Sequence, residues 1–177
     1  QCGLQNLVHR LPAFLANTDT PMTQANLTNR TALTKHRARI DPDALFLHDV
    51  ACDEIKERLS EVNRRFTKIG IVTGHRDFWQ TAFPSAEIVD DTDRIALPNG
   101  QFDLVIHAMA LHWADDPVGQ LVQSRNALVE DGLLMVACFG GQTLNELRSV
   151  LAEAEAEVRG GLSPRVAPMG ELLSLIH

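Results

Sequence analysis

The sequence predicts a doubly wound α/β fold, and three observations predict it. Short β-branched runs alternate with segments of helical periodicity along most of the chain. Two of these runs, within DLVIHAMA (103–110) and GLLMVACF (132–139), are continuously apolar, as strands covered by helices on both faces are. Turn signals at PNG (98–100) and EDG (130–132) punctuate the later elements.

Residues 1–42 read as an irregular N-terminal arm, polar for most of its length, with a short helix around 7–15. The α/β domain spans 43–177. In it Leu47, Val50, Ala51, Ile55, Leu59, Val62 and Phe66 recur at threes and fours, with Glu54, Lys56, Glu57, Arg58 and Glu61 between them. That spacing predicts one amphipathic helix over 44–66, packed on a sheet. KIGIVTG (68–74) is a buried strand ending in a glycine turn. A short helix over 77–82 is closed by Pro84. AEIV (86–89) is the second strand and runs into Asp90 and Asp91. After the strand at 103–110, Asp116 and Pro117 open a helix to 129, since proline suits a first helical turn. Val118, Leu121, Val122 and Leu128 mark its inner face. The strand at 132–139 follows. Thr143 and Glu146 have the spacing of a capping box. The helix they start runs to 158 with Leu144, Leu147, Val150, Leu151 and Ala154 inward. Residues 160–168 form a loop, and 169–176 begin a further helix.

In doubly wound sheets ligands sit beyond the carboxyl ends of the strands. The candidate site residues are therefore those just after each strand. Gly74 either lets backbone approach a ligand or simply ends a strand. Asp90, Asp91 and Asp93 offer carboxylate acceptors for hydroxyl and amino groups, or form a solvated acidic turn. The Trp113 indole can cover a flat ligand, and the His112 imidazole can bond it or act as a base. Phe139, Gly140 and Gly141 can line the pocket of an acceptor substrate. His107, in mid-strand, reads as a core histidine. No third ligand is spaced to make a metal site with His107 and His112. Arg148 reads as a surface or packing residue, and Ser163-Pro164-Arg165 as a substrate-side loop.

The net charge is −7 with no lysine or arginine run, which argues against a nucleic-acid groove. Cys2, Cys52 and Cys138 lie far apart and read as thiols in a reducing cytoplasm. No apolar run approaches the ~20 residues of a membrane span, and no secretory signal pattern is seen. The partner expected is a small-molecule or protein acceptor.

FDLVIHAMALHW (102–113), followed at the right interval by the Asp131-Gly132 turn, resembles the class I methyltransferases that use S-adenosylmethionine. Among these it is similar to the family that includes malonyl-carrier-protein methyltransferases. FLHDVACDEIKERL (46–59), FGGQTLNELR (139–148) and GGLSPRVAP (160–168) resemble one methyltransferase-like group within it. That group contains the mitochondrial assembly factor of respiratory complex I and its bacterial relatives. The resemblance covers residues 46–168. It implies a Rossmann-like sheet, S-adenosylmethionine as cofactor, and methyl transfer to an unknown acceptor. Gly74, Asp90, Asp91, His112 and Trp113 would then lie at the cofactor, and Phe139, Gly140 and Gly141 at the acceptor. The same group also implies two alternatives: a non-catalytic partner-binding or assembly role, and protein arginine hydroxylation.

The chain departs from the pattern in two places. Such domains carry several glycines after the first strand, whereas IVTGHRDFW offers only Gly74. Residues 75–101 are too few for two helices and two strands at usual lengths. The fold is therefore expected in reduced form, lacking one strand–helix unit and the C-terminal strand pair. Alignment without gaps puts Asp91 on the acid that contacts adenine. With a unit missing, Asp90 takes the place of the ribose acid instead.

Overall fold

The computed structural model describes residues 27–163. The expected helices at 7–15 and 169–176 lie outside the described residues. In chain order the elements are α1 (Arg30–Arg37), α2 (Phe46–Glu61), β1 (Ile69–Val72), α3 (Arg76–Ala82) and β2 (Glu87–Val89). They continue with β3 (Phe102–Ala108), α4 (Pro117–Ala127), β4 (Leu128–Ala137) and α5 (Asn145–Arg159). One-turn 3-10 helices sit at Pro42–Ala44 and Leu111–Trp113.

The four strands form one parallel sheet in the order β2-β1-β3-β4. Each strand alternates between two apolar layers. Ile71, Ile88, Leu104 and Ile106 join Cys52 and Ile55 of α2 and Trp79 of α3 on one face. Val72, Val89 and Val105 join Ile95, Leu97, Phe102 and Ala127 on the other. This is the doubly wound α/β architecture that the apolar runs predict. One helix and one strand occupy residues 75–101, so β2 pairs directly with β1. The chain leaves β1 toward β2 and returns past it to β3. The strand order therefore reverses beside β1, which places a crevice at the carboxyl ends there.

Several helical faces differ from the periodic reading, each for a local reason. The buried stripe of α2 is His48, Cys52 and Ile55, while Leu47, Val50 and Val62 are exposed. Helix α2 stops at Glu61 because Val62 is already extended. Helix α4 buries Gln120, Ser124 and Ala127 and leaves Val118 and Val122 exposed. It lies against the loop after β2, whose carbonyls need donors. No residue of α5 is buried, so the inward face expected for Leu144, Leu147, Val150 and Ala154 is not formed among the described residues. Its cap also differs. The N-cap is Leu144 at φ 56°, with no side-chain bond, and Thr143 donates its N–H to the Gly140 carbonyl. The EDG turn survives as a register jump, from Phe102↔Leu128 to Leu104↔Leu133, with Asp131 at φ 61°.

The segment read as an irregular arm holds α1. Asn29 caps it, its side-chain oxygen accepting the Ala32 N–H at 3.0 Å. The helix buries no residue of its own, so its place depends on polar contacts described next.

Candidate functional site

Strands β1 and β2 end side by side. Thr73 donates its N–H to the Val89 carbonyl at 3.1 Å, carrying the pairing one step past β1. Gly74 follows on one side and Asp90–Asp93 on the other. Helix α1 crosses above them, and a cleft of about 930 Å³ lies between. That is within the roughly 300–1,000 Å³ of ordinary ligand sites. Gly74, Asp90 and Asp91 line it together with Arg30, Arg37 and His75.

Asp91 is the buried acid of the cleft, at 3% exposure. Arg37 forks onto it, Nη1 to Oδ1 at 2.7 Å and Nη2 to Oδ2 at 2.9 Å. Arg30 adds a third bond to Oδ2 at 3.2 Å and reaches Asp93 at 3.6 Å. Burial works to raise the Asp91 pKa. The Arg37 hydrogen bonds and the two guanidinium charges outweigh it and hold the carboxyl below its ordinary range. Asp90 points outward instead, 3.7 Å from Arg76, which also donates to the Ile88 carbonyl at 2.6 Å. Of the two adjacent acids, the structure turns Asp91 in and Asp90 out.

The Asp91 loop is supported from below. Gln120 of α4 donates its amide to the carbonyls of Thr92 (3.0 Å) and Asp91 (3.4 Å). Its oxygen faces His107 Nε2 at 2.9 Å in the core. Gln123 repeats the device, donating to the Asp93 carbonyl and accepting the Ile95 N–H, both at 2.9 Å. His107 is thus a fully buried core histidine, held neutral by that burial.

The remaining sequence candidates form a neighbouring group. Met109 at φ 51° turns the chain out of β3 into the Leu111–Trp113 turn. That turn sets the His112 ring 5.2 Å from Trp113 and 4.4 Å from Phe139, centre to centre. Burial, then the Arg37 charge, pushes the His112 pKa down to about 4, with Asp91 opposing. These residues are not part of the cleft lining, and Trp113 is partly exposed. Gly140 has open space where a side chain would stand. The Gly141 carbonyl accepts from Arg148 at 3.2 Å, and Arg148 also reaches the Thr143 carbonyl, so it fastens this turn.

Sequence reasoning did not single out Arg30, Arg37 or His48, whereas His75 falls among the residues just after the first strand. A signal for the arginines exists: Arg30, Lys35, Arg37 and Arg39 gather within ten residues of an acidic chain. His48 has none, since nothing local marks its partner. Its Nδ1 accepts the Trp79 indole N–H at 3.1 Å, and its ring lies 4.5 Å from His75. Burial first, then His75, His112 and Arg37, lowers the His48 pKa from 6.5 to about 4.

A pH effect follows. The Trp79 bond needs Nδ1 unprotonated, so the folded state resists the proton that the unfolded chain accepts near pH 6.5. With the folded pKa lowered, the stabilisation is complete above about pH 6.5 and drains away as pH falls toward 4. At ~1.4 kcal/mol per pKa unit, His48 accounts for about 3 kcal/mol across that window. Urea midpoints measured at pH 7 and pH 4.5 should drop in the wild type and drop less in His48→Gln. Equal drops in the two proteins would remove His48 as the source.

The chain is a doubly wound α/β domain with a cleft at the carboxyl ends of β1 and β2. A methyltransferase domain model matches residues 48–136, which is half of the chain, and the chain belongs to that family. Arginine-hydroxylase NDUFAF5, mitochondrial, of Rattus norvegicus is 39% identical over 98 residues, 55% of this chain and 29% of that protein. The Danio rerio protein of the same name is 35% identical over 135 residues, 74% of this chain and 41% of its own length. The malonyl-[acyl-carrier protein] O-methyltransferase of Xylella fastidiosa is 27% identical over 128 residues, covering 72% of this chain and 39% of that protein. These are the two groups that the FDLV and FGGQTLNELR segments resemble. The chain spans less than half the length of each of these relatives.

Proposed function

We propose that the cleft between α1 and the ends of β1 and β2 takes S-adenosylmethionine, and that the chain serves methyl transfer to a small-molecule or protein acceptor. The observation that carries this reading is Asp91. It is a buried, ionised acceptor just after β2, inside the span matched by the methyltransferase model. Hydroxyl and amino hydrogens of an adenosine suit such a carboxylate. Gly74 lines the same cleft, its side-chain position taken by the Arg37 guanidinium, and the cleft has the volume for a nucleoside with an amino-acid arm. The residues present fit the group, provided Arg37 changes partner.

S-adenosylmethionine, when bound, supplies an already activated methyl group on a sulfonium. The chain's own task is then to bind and align. Asp91 holds the nucleoside, with Gln120 fixing the loop that carries it. His112, Trp113, Phe139 and Gly140 form the adjoining wall proposed for the acceptor side. The neutral His112 imidazole, its Nδ1 buried without a hydrogen-bond partner, can accept a hydrogen bond from an acceptor group, while its lowered pKa makes it a weak base.

The name of the 35–39% identical relatives, arginine-hydroxylase, supports a second reading, action on an arginine. Among the described residues no helix is long and apolar enough to cross a membrane. The free thiols Cys52 and Cys138 suit a reducing compartment such as the cytoplasm, whereas the arginine-hydroxylase relatives named above are mitochondrial.

Titration calorimetry with S-adenosylmethionine and S-adenosylhomocysteine tests the first reading. Micromolar binding is expected, weakened at least ~tenfold in Asp91→Asn through loss of charge-assisted bonds. Folded protein that binds neither ligand at millimolar concentration would overturn it and leave the second reading.

A further inference from the structure

Gln120 of α4 joins the Asp91 loop to the core. Its Nε2 lies 3.0 Å from the Thr92 carbonyl and 3.4 Å from the Asp91 carbonyl. Carbonyls only accept, so both amide hydrogens belong on that side. The amide oxygen is thereby turned inward, 2.9 Å from Nε2 of His107. An oxygen at that distance needs a donor, and the ring nitrogen is the group that faces it.

His107 has no exposed surface. Burial lowers its pKa, with Gln120 and Asp91 opposing, so the ring is neutral and holds a single proton. Two tautomers are open to it. With the proton on Nδ1, two lone pairs would face each other at 2.9 Å, and Nδ1 has no partner to receive the hydrogen. Flipping the Gln120 amide to suit that tautomer would set its oxygen against two carbonyls. With the proton on Nε2, every hydrogen of the group is bonded and only one ring lone pair is left bare. The sheet holds the ring in place. His107 is in register with Val72 on one side and Val136 on the other, on an interior strand.

We propose that His107 is a positioning residue of the cleft: its Nε2–H fixes the Gln120 amide in the one orientation that supports the Asp91 loop. His107 does not line the cleft and acts through Gln120. Its effect on a ligand rests on the reading that Asp91 holds an S-adenosyl nucleoside. Its effect on the loop does not.

The tautomer is read from the ring nitrogens of His107 by NMR on the whole chain at neutral pH, assigned by their loss in His107→Gln. Nε2 should carry the hydrogen and Nδ1 none. Two variants test the consequence. His107→Gln puts an amide N–H near the place of Nε2, and His107→Leu puts none. Solvent exchange of the Gln120 side-chain amide hydrogens reports the loop without any ligand. It should quicken at least ~tenfold in His107→Leu and stay within ~threefold of the wild type in His107→Gln, the difference of one buried hydrogen bond. Affinity for S-adenosylhomocysteine, by calorimetry on protein shown folded by circular dichroism, should fall in the same order. A wild-type ring protonated on Nδ1 would overturn the proposal, and that reading decides it even if His107→Leu does not fold. Gln120 exchange equally fast in both variants, or unchanged in both, would overturn it too. The expected tautomer and exchange, with no S-adenosylhomocysteine bound at millimolar concentration, would keep the role of His107 in the loop and overturn the cofactor reading instead.

Discussion

Trp79→Ala should lower the stability of the chain by about 4 kcal/mol, the upper part of the range for core aromatics. Trp79 has no exposed surface. It packs edge-on against Phe78 at 5.6 Å and stacks on Phe83 at 6.1 Å, beneath the sheet face formed by Ile71, Leu104 and Ile106. Truncation opens a cavity the size of an indole between α3 and the sheet. It also strips His48 Nδ1 of its donor. Against a typical stability of ~5–15 kcal/mol, that loss removes between about a quarter and most of the total. Urea unfolding followed by circular dichroism measures it. A midpoint within ~0.5 kcal/mol of the wild type would mean that α3 does not pack as described. Trp79→Phe retains most of the packing and should cost far less.

Gln120→Met should cost about 3 kcal/mol although it changes the side-chain volume little. One amide satisfies three groups, the Asp91 and Thr92 carbonyls and His107 Nε2. A thioether satisfies none of them properly. Each buried polar group left bare costs ~1–3 kcal/mol, and relaxation of the loop recovers part of the sum. The same unfolding measurement reads the loss. A second readout separates support of the Asp91 loop from general weakening. The salt dependence of ligand affinity should change in Gln120→Met and not in Ala127→Gly, which disturbs the same helix away from the loop. A stability unchanged by Gln120→Met would show that the loop holds itself.

The sheet was largely legible in the sequence, because strands buried on both faces must be apolar without interruption. Leu104, Val105 and Ile106 are, within buried β3. LLMVA is apolar too, but it became the edge strand β4, whose residues are at most partly buried, so the reading of a strand covered on both faces does not hold there. The single strand–helix unit at 75–101 was legible from length alone. The helical faces were less so. Periodicity marks where apolar residues recur, not where polar ones are buried. In α4 the buried side carries Gln120, which serves a loop about thirty residues earlier, and Ser124, which donates back to the Gln120 carbonyl. Asp90 and Asp91 are equivalent on paper. Only the strand's pleat and the arginines opposite turn Asp91 inward. Those arginines lie 54 and 61 residues upstream, within a stretch whose polar composition reads as loop. Charge pairing at that range leaves no local pattern. The capping-box spacing at Thr143 misled for a related reason, since Arg148 holds that turn from within the helix.

The way α1 is held also sets an order of events as the chain folds. Its contacts span 54 to 88 residues of sequence, and it buries nothing that would draw it in early. Contacts of such separation form late, because loop closure must come first and their reward after. The sheet and its two apolar layers can assemble without α1. Asp91 and the Gly74 turn are then briefly open before α1 settles across them. The same order, run backward, makes α1 the first segment to lift in the native protein.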